Sequence, residues 1–245
     1  MSSVSPRLNV FDRLNSLNSS KLRSINFNQY FGEMGLTEEQ TEERISLAED
    51  LEKDMLFFFY LMIAQYQYET ELDVNEEMNA RFRETIGNHM EISDRLDYHI
   101  TELVDDIERV TALHLATLIV LTDEVNRDIA SESEEQSKEV EDREKKLESE
   151  QYWLSDDRAR FIAEEESNTA FNDSDFEEAI EEGYTMKTWN TMADRYVRKT
   201  HRPMEGKTIP IDDYFIVGNS LMLYPRDPDG DPEEVISCRC WLTYE

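Results

Sequence analysis

The chain reads as a mainly α protein, an elongated helical hairpin or bundle, followed by a small C-terminal α+β module. Three observations predict this. Its 245 residues hold only 7 Gly and 6 Pro, too few for a turn-rich β sandwich. Apolar residues recur at helical spacing before residue 183. After Gly183 the pattern shifts to short β-type runs, and Pro203, Pro210, Pro225, Pro228 and Pro232 leave only Pro6 elsewhere.

The first element is an arm over residues 1–35. Residues 1–30 set Arg7, Arg13, Lys21 and Arg23 against Asp12, with Phe11, Leu14, Leu17, Leu22, Ile25 and Phe27 scattered between. Such a segment docks on another surface or stays mobile. An acidic helical region follows over 36–150. Thr37-Glu38-Glu39-Gln40 has the capping-box pattern, with acids in the first turn where the helix dipole favours them. Ile45, Leu51, Met55, Phe58 and Met62 keep helical spacing, and the run Met55–Ala64 is apolar all round, hence buried.

After a break near Leu72–Asn75 a second pattern begins. Phe82, Ile86, His89, Ser93, Leu96, Ile100, Leu103, Ile107, Val110, His114, Thr117 and Leu121 alternate in steps of four and three, a coiled-coil seam. The expectation is one unbroken helix from about 76 to 130. Ser131–Glu166 is a charged helix with one thin apolar line, Val140, Leu147, Leu154 and Phe161. The third region, 151–245, is the α+β module. Within it Tyr214–Val217 and Leu221–Tyr224 flank Gly218-Asn219, a hairpin signal.

Composition excludes several function classes. With 56 acidic and 25 basic side chains the net charge is −31, which disfavours nucleic-acid binding over the whole surface and favours partners with basic patches. Met55–Ala64 is about half a membrane span, and the N-terminus lacks a signal-peptide core. No stable membrane association is expected. Two cysteines give no disulfide framework. No Walker A, GxGxxG, GxSxG or HExxH motif is present, so no catalytic residue is assigned.

The chemistry lies near the C-terminus. Cys238-Arg239-Cys240 looks strand-like, and on a strand residues two apart share a face, aiming both sulfurs at one point. A disulfide across one residue would be strained, which leaves metal binding or two free thiols. The nearest candidate nitrogen ligand is His201. Residues from Trp189 to His201 look helical in their later half, placing Asp194, Arg198 and His201 on one face. Two thiolates and an imidazole are three of the four ligands of a structural zinc, with Asp194 as a candidate fourth. Asp194–Arg198 suits a helix salt bridge equally well, and the bland alternative is two reduced buried cysteines beside a hydrogen-bonded histidine. His89 and His114 fit seam positions better than metal sites. Asp227–Asp231 resembles a calcium loop but has Cys238 where the bidentate Glu belongs, so it reads as a turn.

An ordered series of short motifs spans 159–240: Ala159–Glu166 running to Asn172, Lys187-Thr-Trp189, Asp194–His201, Gly206, Ile209–Phe215, Gly218, Leu223–Pro228 and Val235–Cys240. It resembles the bacteriophage head-morphogenesis, minor capsid protein family named after the Mu F protein. Residues 1–150 match only in being helical. The family often has Arg-Thr-Glu where this chain has Glu164-Glu165-Glu166, and commonly Asn where Ser237 stands. Some relatives extend into toxin or ADP-ribosylating domains, for which the five residues after Cys240 leave no room.

The resemblance implies a non-enzymatic minor component of a tailed-phage head, found in the virion near the portal and in host cytoplasm during assembly. It implies portal or major capsid protein as partner and a role in head assembly or DNA ejection. His201, Cys238 and Cys240 sit at its motif positions, which favours a structural zinc. Self-association through the helices is a further expectation, and DNA contact is not predicted. Two other classes compete: a metal-dependent enzyme with Asp194, His201 and the thiols around a catalytic zinc, and an acidic scaffolding-like or DNA-mimic protein carried by residues 31–150.

Overall fold

The computed structural model describes residues 31–32, 34–68, 72–130 and 137–245. The expected arm lies outside the described residues as far as position 30. The chain divides into two compact units. One draws on Glu52–Ala80 and Glu102–Ile162, the other on the described part of Ser24–Leu51, Arg81–Thr101 and Ala163–Glu245.

The predicted class is borne out: helices dominate, and a small antiparallel sheet module follows them. The main helices are α1 (Glu38–Tyr68), α2 (Val74–Gly87), α3 (Asp94–Ala130), α4 (Ser137–Gln151) and α5 (Asp156–Glu181). The capping box of α1 forms as its sequence dictates. Gln40 N–H donates to Thr37 Oγ1 at 3.2 Å, and Thr37 N–H donates to Gln40 Oε1 at 3.0 Å. Leu47, Leu51, Met55, Phe58, Phe59, Met62 and Ile63 are buried along α1.

The expected continuous helix from 76 to 130 is interrupted between Gly87 and Asp94. Ser93 starts a new helix there, its Oγ accepting the Leu96 N–H at 3.0 Å. Along α3 a buried stripe runs through Leu96, Ile100, Val104, Ile107, Thr111, Leu115, Leu118, Leu121 and Val125, with Thr122 also buried beside it. Its steps average about 3.6 residues, the period of a straight helix rather than of a heptad seam. Leu103, Val110, His114 and Thr117, expected on the seam, are therefore only half-buried. Leu147 and Leu154 are buried and Phe161 half-buried, while the Val140 side chain lies outside the described set.

In the sheet module, β1 (Met186–Thr191) lies between β2 (Lys207–Pro210) and β5 (Cys240–Tyr244), antiparallel to both. A separate hairpin joins β3 (Phe215–Val217) to β4 (Ser220–Met222) across the predicted Gly218-Asn219 turn. Alternation along β1 buries Lys187, Trp189 and Thr191 on one face. Trp189 then packs with Met204, Phe215, Val217, Met222, Cys238 and Cys240. A second cluster, Phe176, Ala179, Ile211 and Tyr224, fixes the end of α5 to the module.

Two local expectations fail. Residues 192–200 form turns rather than a helix, because Asp194 Oδ1 accepts the N–H groups of Tyr196 (2.9 Å) and Val197 (3.2 Å). That side-chain turn competes with helical bonding. Of Cys238-Arg239-Cys240 only Cys240 is in a strand: Pro232–Val235 forms a single short helical turn, α6, and Cys238 and Arg239 lie between it and β5.

Candidate metal centre

Three segments of the module bring the candidate donors together. His201 precedes the short 3-10 turn Arg202–Met204. Cys240 opens β5, where it pairs with Thr191 of β1. Cys238 stands two residues earlier, after Ser237, whose φ of 56° places it in the left-handed region and turns the chain inward. Thus β5 supplies one sulfur through strand geometry and the tight turn before it supplies the other.

One donor atom each from His201, Cys238 and Cys240 lies within 4.8 Å of the others. All three residues are buried, with 1%, 1% and 2% of their surface exposed. Imidazole Nδ1 is 3.5 Å from Cys240 Sγ and 3.6 Å from Cys238 Sγ. On the other side of the ring, Nε2 lies 2.9 Å from Glu234 Oε2, which also accepts the Thr200 hydroxyl at 2.7 Å. The Trp189 ring packs edge-on to the imidazole at 5.8 Å.

The sulfurs share their protons unequally. Cys238 is held well below the ordinary thiol range by the Cys240 S–H donated to it, and then, against burial, by His201 and Arg226. Cys240 is pushed up by that same hydrogen bond and by burial. Burial disfavours the His201 imidazolium, but Cys238 and Glu234 outweigh it and raise its pKa. Both shifts favour negative charge on Cys238 and positive charge on the His201 ring that faces it. Deprotonated at their donor atoms, the three side chains offer two thiolates and a neutral imidazole, the donor set preferred by zinc and other soft ions.

Arg226 connects this centre to α5. Its own φ of 67° is left-handed, and its guanidinium is buried. Nε donates to the Cys238 carbonyl at 2.7 Å, and Nη1 to Glu165 Oε2 at 2.8 Å. Glu165 Oε2 also accepts the Ser237 N–H at 2.6 Å, so one helix carboxylate positions both sides of the Cys238 turn.

Of the site residues expected from sequence, the structure brings together His201, Cys238 and Cys240 but not Asp194. The Asp194 carboxylate accepts two bonds from the Arg239 guanidinium, at 2.8 and 2.9 Å, which hold it below the usual carboxylate range. Arg198 donates to the Ile236 carbonyl instead of forming the helix pair with Asp194. The proposed face of Asp194, Arg198 and His201 does not exist, because no helix runs there. Trp189 is part of the core beside His201, on β1.

Sequence reasoning missed Glu234, Thr200, Arg226 and Glu165. Glu234 is one acid among 56 and carries no motif, so only the fold reveals it. Among the described residues no other set of three donors converges. His89, His99 and His114 each face a single carboxylate, of Asp50, Glu166 and Glu150 respectively. The calcium-like segment is filled by protein: Arg95 donates to both Asp227 and Asp229.

Among the described residues no helix is long and apolar enough to cross a membrane. No curated protein and no solved structure matches the chain. Residues 123–243, from within α3 into β5 and including the centre, match the family model described as Phage Mu protein F like protein, the family its motifs resemble.

Proposed function

We propose that this chain is a minor structural protein of a tailed-bacteriophage head, acting through contacts with the portal or major capsid protein during head assembly, DNA ejection or both. The single observation that carries this reading is the match of residues 123–243 to the Mu F-like family. Its place is the virion, with a passage through host cytoplasm during assembly. The charge of −31 supports the role, since a strongly acidic surface is repelled by packaged DNA and attracted to basic protein faces.

We read the His201–Cys238–Cys240 centre as a structural zinc site that staples the sheet module, not as a catalytic one. Donors exposed by 2% or less give a substrate no access to the centre. The role is tested by co-expressing the chain with portal and major capsid proteins and measuring its copies in purified procapsids. Enrichment that depends on residues 123–243 supports it. A chain that stays wholly outside procapsids and portal rings removes it.

A further inference from the structure

Glu234 is an acid buried to 8% exposure in the short helical turn α6, four residues before the first cysteine. Its Oε2 receives two groups, the Thr200 hydroxyl at 2.7 Å and His201 Nε2 at 2.9 Å. Space for it is made by Gly218. A Cβ there would lie 2.3 Å from Glu234 Oε1, and the backbone φ of +62° at that residue also favours glycine. Two separate parts of the module, the Thr200-His201 segment and the Gly218 turn, thus meet at one carboxylate.

A neutral imidazole has one N–H and one lone pair. A carboxylate at Nε2 fixes the N–H there and leaves the lone pair on Nδ1, which is the atom facing both sulfurs. The two ring nitrogens point to opposite sides of the imidazole, so Glu234 cannot itself reach an ion held at Nδ1. Building on the zinc reading above, we propose that Glu234 is the positioning residue of the centre: it selects Nδ1 as the metal-binding nitrogen of His201 and strengthens that donor. Thr200 and Gly218 are its supports, one donating to the carboxylate and the other leaving room for it. Histidine ligands elsewhere commonly receive such help, and losing the partner typically lowers metal affinity by about 10–100-fold.

The full chain is stripped of metal and titrated with Co²⁺, then with Zn²⁺ in competition, for wild type, Glu234→Ala, Glu234→Gln and Thr200→Val. The expected result is an unchanged thiolate-to-cobalt absorption band in every variant. Zinc affinity falls by about 10–100-fold in Glu234→Ala and less in Glu234→Gln, whose amide oxygen still accepts the Nε2 proton. Thr200→Val, the gentler change, lowers it a few-fold. ¹⁵N spectra of the zinc-loaded wild type place the metal on Nδ1 and the proton on Nε2 of His201. An affinity equal to wild type in both Glu234→Ala and Thr200→Val overturns the proposal, as does metal on Nε2 in the wild type. Absence of the cobalt–thiolate band from the wild type itself is a different failure, which removes the zinc centre along with its positioning residue.

Discussion

Lys187 offers the sharpest test of how this module is held together. Its side chain on β1 is fully buried, and its Nζ makes no hydrogen bond among the described residues. The ammonium sits 4.8 Å from the Phe176 ring centre and 5.6 Å from that of Phe215. Burial lowers its pKa from 10.5 to about 8, although Asp227, Asp212 and Asp213 pull the other way. In the unfolded chain the amine protonates as pH falls through about 10.4, while in the fold it waits until about 8. The native state therefore loses stability across that window, by about 3 kcal/mol in all, and the loss is complete below it.

Lys187→Met replaces the side chain with an apolar one of similar length and escapes the penalty. Urea unfolding of both proteins, with zinc in equal excess, should show the variant more stable at pH 7 by about 1–3 kcal/mol after allowing for repacking. The gap should shrink toward zero by about pH 10. A variant less stable than wild type at pH 7, or a gap that does not change with pH, refutes the reasoning and shows that the two rings and Asp227 fully compensate the buried charge.

Metal analysis of the purified protein should return about one zinc per chain, and Cys238→Ser should return almost none; equal content removes the centre. Arg226→Met leaves Glu165 buried without its cation and should lower stability by about 3–5 kcal/mol by denaturant titration, with part recovered when Glu165→Gln is added. His99 is opposed by burial, yet Glu166 raises its pKa. Its contribution is therefore full below the ordinary imidazole pKa and lost as pH rises through the raised one, so His99→Gln should be more damaging at pH 5.5 than at pH 9. Gly206→Ala meets no neighbour and should lose only about 1–2 kcal/mol to its left-handed backbone, whereas Gly218→Ala also drives a Cβ into Glu234 and should lower the melting temperature further.

Local signals in the sequence carried far. The Thr37–Gln40 box and the Gly218-Asn219 hairpin depend on residues within a few positions of one another, and both formed as read. The break at 88–93 was hidden because apolar spacing keeps its phase across it, although Gly87 and the helix-starting Ser93 marked its edges. Asp194 was misassigned for a physical reason: a short acid can fold the backbone around itself, and here it did so while pairing with Arg239 across 45 residues. Spacing alone brought two cysteines and a histidine under consideration. It could not reveal Glu234 or Arg226, whose partners are far away in sequence and whose residue types are common.

Because the two sulfurs lie almost wholly beneath the module's surface, a bulky thiol reagent reaches them only when that part of the chain breathes open. Their labelling rate is therefore a built-in clock. Read in the free protein and again inside an assembled particle, it reports how far assembly quietens the motion, with no change to the sequence.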